Sequence, residues 1–180
     1  MKRRFIAEES GQALVELSSV AVILCVLSLG IVDVGRAFYD VQVIKNLAGE
    51  GSSLASRGTN MTTVAGNVVS YAGSALDLGH KGCVLVTEVT NDAGTLAVTS
   101  QTSQCAITAG SKVGCVQGTR NCQSSTPTLP SEASSALLSE PSGSSLFVTE
   151  VFYSYTAATP LPAFLNNSVI PSQIYAVAYY

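Results

Sequence analysis

The segment GQALVELSSVAVILCVLSLGIVDVG (residues 11–35) decides the fold, because it is a long apolar run with one carboxylate, Glu16, near its start. No charged residue lies between Leu17 and Val32. At 1.5 Å per residue, the stretch from Ala13 to Val32 forms about 30 Å of helix, the thickness of the bilayer hydrocarbon. The run therefore predicts one membrane-spanning helix.

The residues that flank this run indicate its orientation. Lys2, Arg3 and Arg4 precede it, and basic residues at that position keep a helix end in the cytoplasm. A secretory signal peptide would have an apolar core of roughly 7–15 residues followed by small residues at a cleavage site. Here the run is longer, and Asp33 and Arg36 follow it. We therefore expect an anchored chain with everything after the helix on the outer side.

The composition excludes nucleic acid as the main partner. Of the 180 residues, 47% are hydrophobic and only 12% are charged, and the net charge is −3. Nucleic-acid binding requires a basic patch that neutralises phosphates, and the sequence shows neither a basic stripe nor aromatic residues interleaved with basic ones.

The helical pattern continues beyond the apolar run. The first proline is Pro127, and residues from Gln12 to about Ser56 suit one long helix that becomes amphipathic past Val32. Glycines soften its end, which we expect between Ala48 and Arg57. A second, shorter helix is predicted from Met61 to Leu78.

The periodicity then changes to two, which is typical of strands. The predicted strands are 83–91, 95–105, 145–161 and 174–180, with a turn at 91–94 and a Ser/Pro-rich surface connection at 124–145. The expected fold class is α+β: a long N-terminal stem helix, a short second helix and a C-terminal antiparallel sheet of about four strands. We expect the stem helix at 12–58 and an extracytoplasmic head at 59–180.

The cysteines agree with an oxidising compartment for the head. Cys25 lies inside the apolar run, where it is interpreted as a small core or lipid-facing residue. The other four lie on the outer side and predict two disulfides with three possible connectivities: Cys83, Cys105, Cys115 and Cys122. There is no C-x-x-C motif and only one histidine, so we predict no metal site and no cofactor.

The sequence also predicts no catalytic residue. Asp77, His80 and Cys83 have a spacing that suggests a ligand or Cys–His site, but a single histidine at a helix end is typical of a partner for the helix dipole. The late tyrosines at 153, 155, 175, 179 and 180 are open to two interpretations: packing across a sheet or an adhesive surface.

Glu16 itself is explained by a motif. A cut after Gly11 would make Gln12 the first residue and Glu16 the fifth, and a charged leader, a glycine, this glutamate and an apolar helix together resemble a type IV prepilin. The cut frees an α-amine that is cationic near neutral pH. Amine and carboxylate of neighbouring subunits can neutralise each other in an apolar bundle, where an unpaired charge is costly. The other interpretation is a glutamate that reaches the lipid headgroups.

Residues 10–51 resemble the TadE-like minor pilins or pseudopilins of tight-adherence (Flp-type) pilus systems. That family's pattern falls here on Gly11-Gln12-Ala13, Val15-Glu16, Gly35-Arg36, Phe38-Tyr39, Gln42, Asn46 and Ala48-Gly49-Glu50-Gly51. Three positions depart from it: Asp33 replaces a usual Glu, Leu47 replaces an Ala, and Gly49 replaces a basic residue. These changes lie outside the cleavage motif, but two of them alter charged positions on which a helix-to-helix salt bridge of the family would depend.

The resemblance implies cleavage between Gly11 and Gln12 by a membrane-embedded prepilin peptidase, with residues 1–11 as the leader. It implies other pilins and an inner-membrane assembly platform as partners, and roles in assembling, priming or capping a pilus for adhesion or secretion. The expected location is the bacterial inner membrane with a periplasmic head, or a pilus after assembly. The alternative is a single-pass anchored periplasmic binding or sensor protein that never enters a fibre.

Overall fold

The computed structural model describes residues 3–73, 75–114, 126–159 and 171–180, with side chains from residue 11 onward. Helix α1 (Arg3–Ser56) is continuous and ends within the predicted range. It begins nine residues before the predicted start at Gln12. The chain forms two compact units. One contains Met1–Phe38 and Thr156–Pro171, and the other contains Tyr39–Tyr155 and Ser172–Tyr180.

Two short helices follow α1 in the second unit. Helix α2 (Met61–Ala72) begins after Asn60, whose side chain accepts a hydrogen bond from the Thr62 N–H at 2.9 Å. The predicted extension of this helix to Leu78 is wrong. Gly73 adopts φ +52°, a conformation that ends a helix, and a separate turn of helix, α3 (Leu78–Lys81), comes after it.

Four strands form one antiparallel sheet, so the predicted α+β fold is confirmed. They are β1 (Gly82–Asp92), β2 (Thr95–Cys105), β3 (Ser145–Ser154) and β4 (Gln173–Tyr179), in the spatial order β2-β1-β3-β4. The β1–β2 hairpin turns through Ala93 and Gly94, both with positive φ. The β1–β2 register shifts once, between Glu88 and Val89, where a bulge is present.

Helices cover one face of the sheet. Helix α2 packs on β1 and β2, and its buried residues Val64, Ala65, Val68 and Ala72 recur at helical spacing. The last turns of α1 add the buried Ile44, Leu47, Ala48 and Ala55. Burial of such an apolar stripe is the main source of stability for an amphipathic helix.

The opposite face of the sheet is also covered, which the sequence did not indicate. Val89, Val98 and Val148 pack there with Val113 and Leu137, which come from the connection between β2 and β3. Part of this connection, predicted as a surface loop at 124–145, is helix α4 (Ser131–Ser139). The serine-rich composition of this segment favours a loop, but its sequence also contains helix formers, and Leu137 of the helix is buried.

Strand β3 is shorter than predicted, because the expected strand at 145–161 ends at Ser154. The last cross-strand bond joins the Tyr155 N–H to the Ser172 carbonyl at 2.9 Å. Beyond it, the N–H groups of Ala158 and Thr159 donate to the Asp33 carboxylate and not to a neighbouring strand.

Candidate functional site

The surface of α1 from residue 11 to residue 32 is apolar on all sides and exposed. Leu14, Leu17, Ile23 and Ile31 are each more than half exposed. By length and composition, α1 from Gly11 onward is the one helix in the described part of the chain that can cross a membrane, and none of its apolar window is buried. A helix that is apolar all round needs lipid or other helices around it.

The predicted cleavage site lies on this exposed helix. Gly11 and Gln12 are both exposed, and a Cβ on Gly11 would meet nothing within 4 Å apart from the nearby backbone of its own helix. Space at the scissile bond is what close approach by a peptidase requires. Lys2 lies outside the described residues, and α1 begins at Arg3.

Glu16 is exposed one turn after Gln12. Its Oε1 accepts a hydrogen bond from the Gln12 side-chain Nε2 at 3.3 Å, the usual geometry for residues four apart in a helix. Ser18 and Ser19 donate to helix carbonyls at 2.8 Å, so their hydroxyls do not compete for the carboxylate. The Glu16 carboxylate therefore projects from an apolar surface and remains open to a cationic partner.

The residues of the family motif divide into two groups. Those that are exposed on α1 are Gly35, Arg36, Phe38, Tyr39, Gln42, Asn46 and Glu50, whereas Gly51 is buried. Gly51 is buried, so packing within the chain accounts for a glycine at this position. Packing within the chain does not account for the exposed motif residues.

Gly51 lies where α1 approaches the sheet closely. A Cβ placed on it would lie 2.9 Å from the Thr149 Cγ2 on β3 and 3.0 Å from the Val68 Cγ2 on α2. The next residue, Ser52, is fully buried; its hydroxyl accepts from the Thr149 N–H at 3.1 Å and donates to the Ala178 carbonyl at 2.9 Å. Since Thr149 and Ala178 are direct partners across β3 and β4, Ser52 bridges the ladder. No pattern in the sequence indicates a role for this serine.

Asp33 has a role in the first unit that the sequence did not reveal. Its side chain is 1% exposed, and its Oδ1 accepts from the N–H groups of Ala158 at 3.0 Å and Thr159 at 3.1 Å. The Thr159 hydroxyl donates to the other oxygen. A carboxylate that accepts three hydrogen bonds is well satisfied when buried. The aspartate that stands here in place of the family's usual glutamate therefore holds the residues that follow β3.

The structure contains one disulfide among the described residues, between Cys83 and Cys105. These residues lie directly opposite each other on β1 and β2, and Cys83 packs with Leu85, Ala109 and Phe152. Cys115 and Cys122 lie outside the described residues, so a second disulfide between them stays a prediction. Cys25 is exposed as a free thiol in the apolar run.

Peptide mapping under non-reducing conditions tests the disulfide prediction. We expect Cys83–Cys105 and Cys115–Cys122 peptides, with Cys25 alone alkylated. Because the first bridge closes a sequence separation of 22 residues, replacing both of its cysteines with alanine should lower the free energy of unfolding by about 3 kcal/mol. Alkylation of Cys115 or Cys122 without prior reduction would show that the second bridge does not form.

Glu150 on β3 is a buried carboxylate that the sequence did not single out. It is 0% exposed, and it accepts hydrogen bonds from the Lys112 N–H at 2.8 Å, the Tyr175 hydroxyl at 3.0 Å and the Ser111 hydroxyl. The Lys112 ammonium lies 3.9 Å from the centre of the Tyr175 ring. These contacts hold residues 111–113 over the sheet. Burial, and then the charge of Glu150, raises the pKa of the Tyr175 phenol.

We expect Glu150→Gln to lower the free energy of unfolding by about 1–3 kcal/mol, because one of the two acceptor oxygens becomes a donor.

Tyr175→Phe removes a single donor and should lower the free energy of unfolding by about 1 kcal/mol. The pKa of the Tyr175 phenol is raised in the folded state. The protonated phenol therefore adds to the free energy of unfolding below the unfolded pKa of about 10, and this stabilisation is lost as the pH rises above that value. Denaturant titrations from pH 7 to 11 should show a steeper alkaline loss in the parent chain than in Tyr175→Phe. Equal slopes would contradict this.

Asp77 is the N-cap of α3 and His80 lies in the last turn of that helix, so the pair is not a Cys–His site. Asp77 accepts from the His80 N–H at 3.1 Å and lies 2.8 Å from its Nδ1, while Cys83 is in the disulfide. The hydrogen bond from His80 lowers the pKa of the Asp77 carboxyl. Among the described residues, no three His, Cys, Asp or Glu side chains gather as metal ligands.

The tyrosines favour packing over an adhesive surface. Tyr153 and Tyr155 are buried, and Tyr175 lies against Phe152 with ring centres 4.8 Å apart. Tyr180 alone among the five is largely exposed.

Comparison with known proteins supports the motif. A family model described as "TadE-like protein" matches residues 11–53, which include the predicted cleavage site, Glu16 and every motif residue up to Gly51. No curated protein and no solved structure matches the chain. The resemblance that the motifs indicate is thus confirmed over this segment, which matches the TadE-like family model.

Proposed function

We propose that the chain is a minor pilin or pseudopilin, cleaved between Gly11 and Gln12, that helps to assemble, prime or cap a Tad-type pilus. The observation that carries this proposal is the coincidence of two properties in one helix. Its apolar surface is exposed on every side, and the same residues match the TadE-like family. A pilus component uses such a surface at two stages. It contacts lipid while the subunit is in the membrane, and it contacts neighbouring subunits in the fibre.

The charges at the start of the helix support the same function. Cleavage frees a cationic amine on Gln12, one helical turn from the Glu16 carboxylate. In a bundle of apolar helices, the amine of one subunit can pair with the carboxylate of its neighbour. A buried ion pair adds little net stability, but leaving either charge unpaired costs about 3–5 kcal/mol. The pair therefore penalises wrong axial positions of neighbouring helices.

The partners follow from this sequence of events. They are a membrane-embedded prepilin peptidase that removes residues 1–11, the inner-membrane assembly platform, and other pilins that contact α1. The basic residues at 2–4 keep the leader in the cytoplasm, and the head folds in the periplasm with its disulfides. No step requires a cofactor or a catalytic residue of this chain.

Gly11→Val tests the cleavage step. A branched side chain at the residue before the scissile bond obstructs close approach of the peptidase, so we expect the leader to be retained in most of the chains. Intact-mass measurement of the membrane-extracted protein distinguishes the two forms. Gly30→Val is the matched control, because Gly30 lies on the same helix and a Cβ there also meets nothing within 4 Å.

Gly30→Val chains should be cleaved normally. Efficient cleavage of Gly11→Val, or equal retention of the leader in both variants, would contradict the assignment of the site. An uncleaved parent chain in cells with an active prepilin peptidase would favour the alternative of a permanently anchored periplasmic protein.

A further inference from the structure

An exposed stripe on α1 in the second unit is not used by the fold. We call it the amide stripe, and it consists of Tyr39, Gln42, Asn46 and Gly49. The first three side chains are exposed, and Gly49 is partly exposed. The buried residues Ile44 and Ala48 lie on the other side of the helix, towards the head.

The amide stripe includes a glycine that packing within the chain does not explain. A glycine inside a helix is destabilising relative to alanine. Gly51 offsets this cost by its close approach to Thr149, but a Cβ at Gly49 would meet nothing within 4 Å. Close approach by another molecule is the remaining physical use for a glycine at that position.

The spacing of the stripe is that of a helix–helix seam. Positions 39, 42, 46 and 49 alternate by three and four residues, the repeat that keeps one side of a helix facing a partner helix. A single asparagine on such a seam, here Asn46, favours a parallel arrangement in register, because its amide then meets its own copy. Gln42 can pair in the same way.

The charges beside the stripe identify the partner. Lys45 and Glu50 flank it on opposite sides, both are exposed, and neither has an ion-pair partner within the described part of the chain. They are five residues apart. In a parallel coiled coil, a residue just before one seam position meets the residue five further along the partner helix. Two identical chains would therefore form the Lys45–Glu50 pair twice.

We infer that the amide stripe binds the same stripe on a second copy of this chain, parallel and in register, in the same membrane. The inference rests on the membrane-anchored part of the proposed function and does not require cleavage. Anchoring orients both copies alike and confines them to one surface, which raises their effective concentration. Exposed ion pairs contribute little to stability, so the pairing of the two chains is reversible and can precede assembly.

Disulfide crosslinking of the full-length chain in native membranes tests the inference. In a Cys25→Ser background, Gln42→Cys should give a crosslinked dimer on mild oxidation, because the two Cα atoms of a seam position lie within disulfide range. Tyr71→Cys, exposed on α2, is the matched control and should not crosslink. The Cys25→Ser parent measures any background from the other cysteines.

Charge reversal then identifies the interaction. Lys45→Glu or Glu50→Lys, added to Gln42→Cys, should reduce the crosslinked fraction severalfold, and the double reversal should restore it. Co-expression of the two single variants with tags of different size should favour the mixed dimer. Equal crosslinking at Gln42→Cys and Tyr71→Cys, no rescue by the double reversal, or crosslinking to a different protein would overturn the inference.

The same crosslinks should form in cells that lack prepilin peptidase. Their presence there, with the leader retained, would separate pairing from processing. A failure of the crosslinks in cells where cleavage proceeds normally would overturn the pairing alone and leave the proposed function standing.

Discussion

Glu16→Ala should leave the chain cleaved and inserted in the membrane but should lower its amount in sheared fibres by about 100-fold or more. The variant keeps the cationic Gln12 amine but lacks the carboxylate that would pair with it in the apolar bundle. Leaving one member of a buried pair without its partner costs about 3–5 kcal/mol, and each 1.4 kcal/mol is a factor of ten in an equilibrium. Immunoblots of membrane and sheared-fibre fractions, together with the intact mass, measure both parts of this expectation.

Glu132→Ala is a suitable control, because it removes one exposed carboxylate from helix α4 in the head. It should be cleaved and recovered in fibres at the level of the parent chain. Normal recovery of Glu16→Ala in fibres would refute the proposal that this carboxylate sets the axial position of the helix. Loss of cleavage in that variant would instead assign Glu16 to recognition by the peptidase.

Gly51→Val should destabilise the head by about 2–3 kcal/mol more than Gly49→Val does. The two substitutions carry the same change in helix propensity, because both replace a glycine of α1 with valine. They differ in their surroundings. A Cβ at Gly51 meets Thr149 and Val68 at 2.9–3.0 Å, whereas a Cβ at Gly49 meets nothing within 4 Å. Overpacking of this kind costs about 1–3 kcal/mol, sometimes more.

Urea unfolding of the detergent-solubilised chain, followed by near-ultraviolet circular dichroism, compares the two variants. The clash at Gly51 also displaces the neighbouring Ser52, whose hydroxyl bridges Thr149 and Ala178, so β4 should lose protection from hydrogen exchange in Gly51→Val. Equal unfolding midpoints for Gly49→Val and Gly51→Val would show that α1 does not pack on the sheet at this point.

Local patterns in the sequence predicted the elements that depend on local physics. The apolar run and its amphipathic continuation predicted α1 to its last turn, and strict alternation around a Gly-containing turn predicted the β1–β2 hairpin. Composition misled at 131–139, because serine obscured the helix formers around Leu137. A positive φ at Gly73 ended α2 six residues before its predicted end.

The polar contacts that fix the chain could not be predicted in the same way. Asp33 binds N–H groups 125 and 126 residues away, Ser52 bridges strands 97 and 126 residues away, and Glu150 holds Lys112 from 38 residues away. No periodicity marks these partners, because only the fold brings them together. By contrast, the predicted cleavage site, Glu16 and the family motif lie on one helix, where spacing alone places each residue.

The most direct test of the account is the N-terminal residue of the chain recovered from sheared fibres. Fibres from cells with an active prepilin peptidase are purified, and the mass and terminal sequence of this subunit are determined. We expect a chain that begins at Gln12, with residues 1–11 absent. Fibre-associated chains that begin at Met1 would contradict it, because no freed amine would then be present to pair with Glu16.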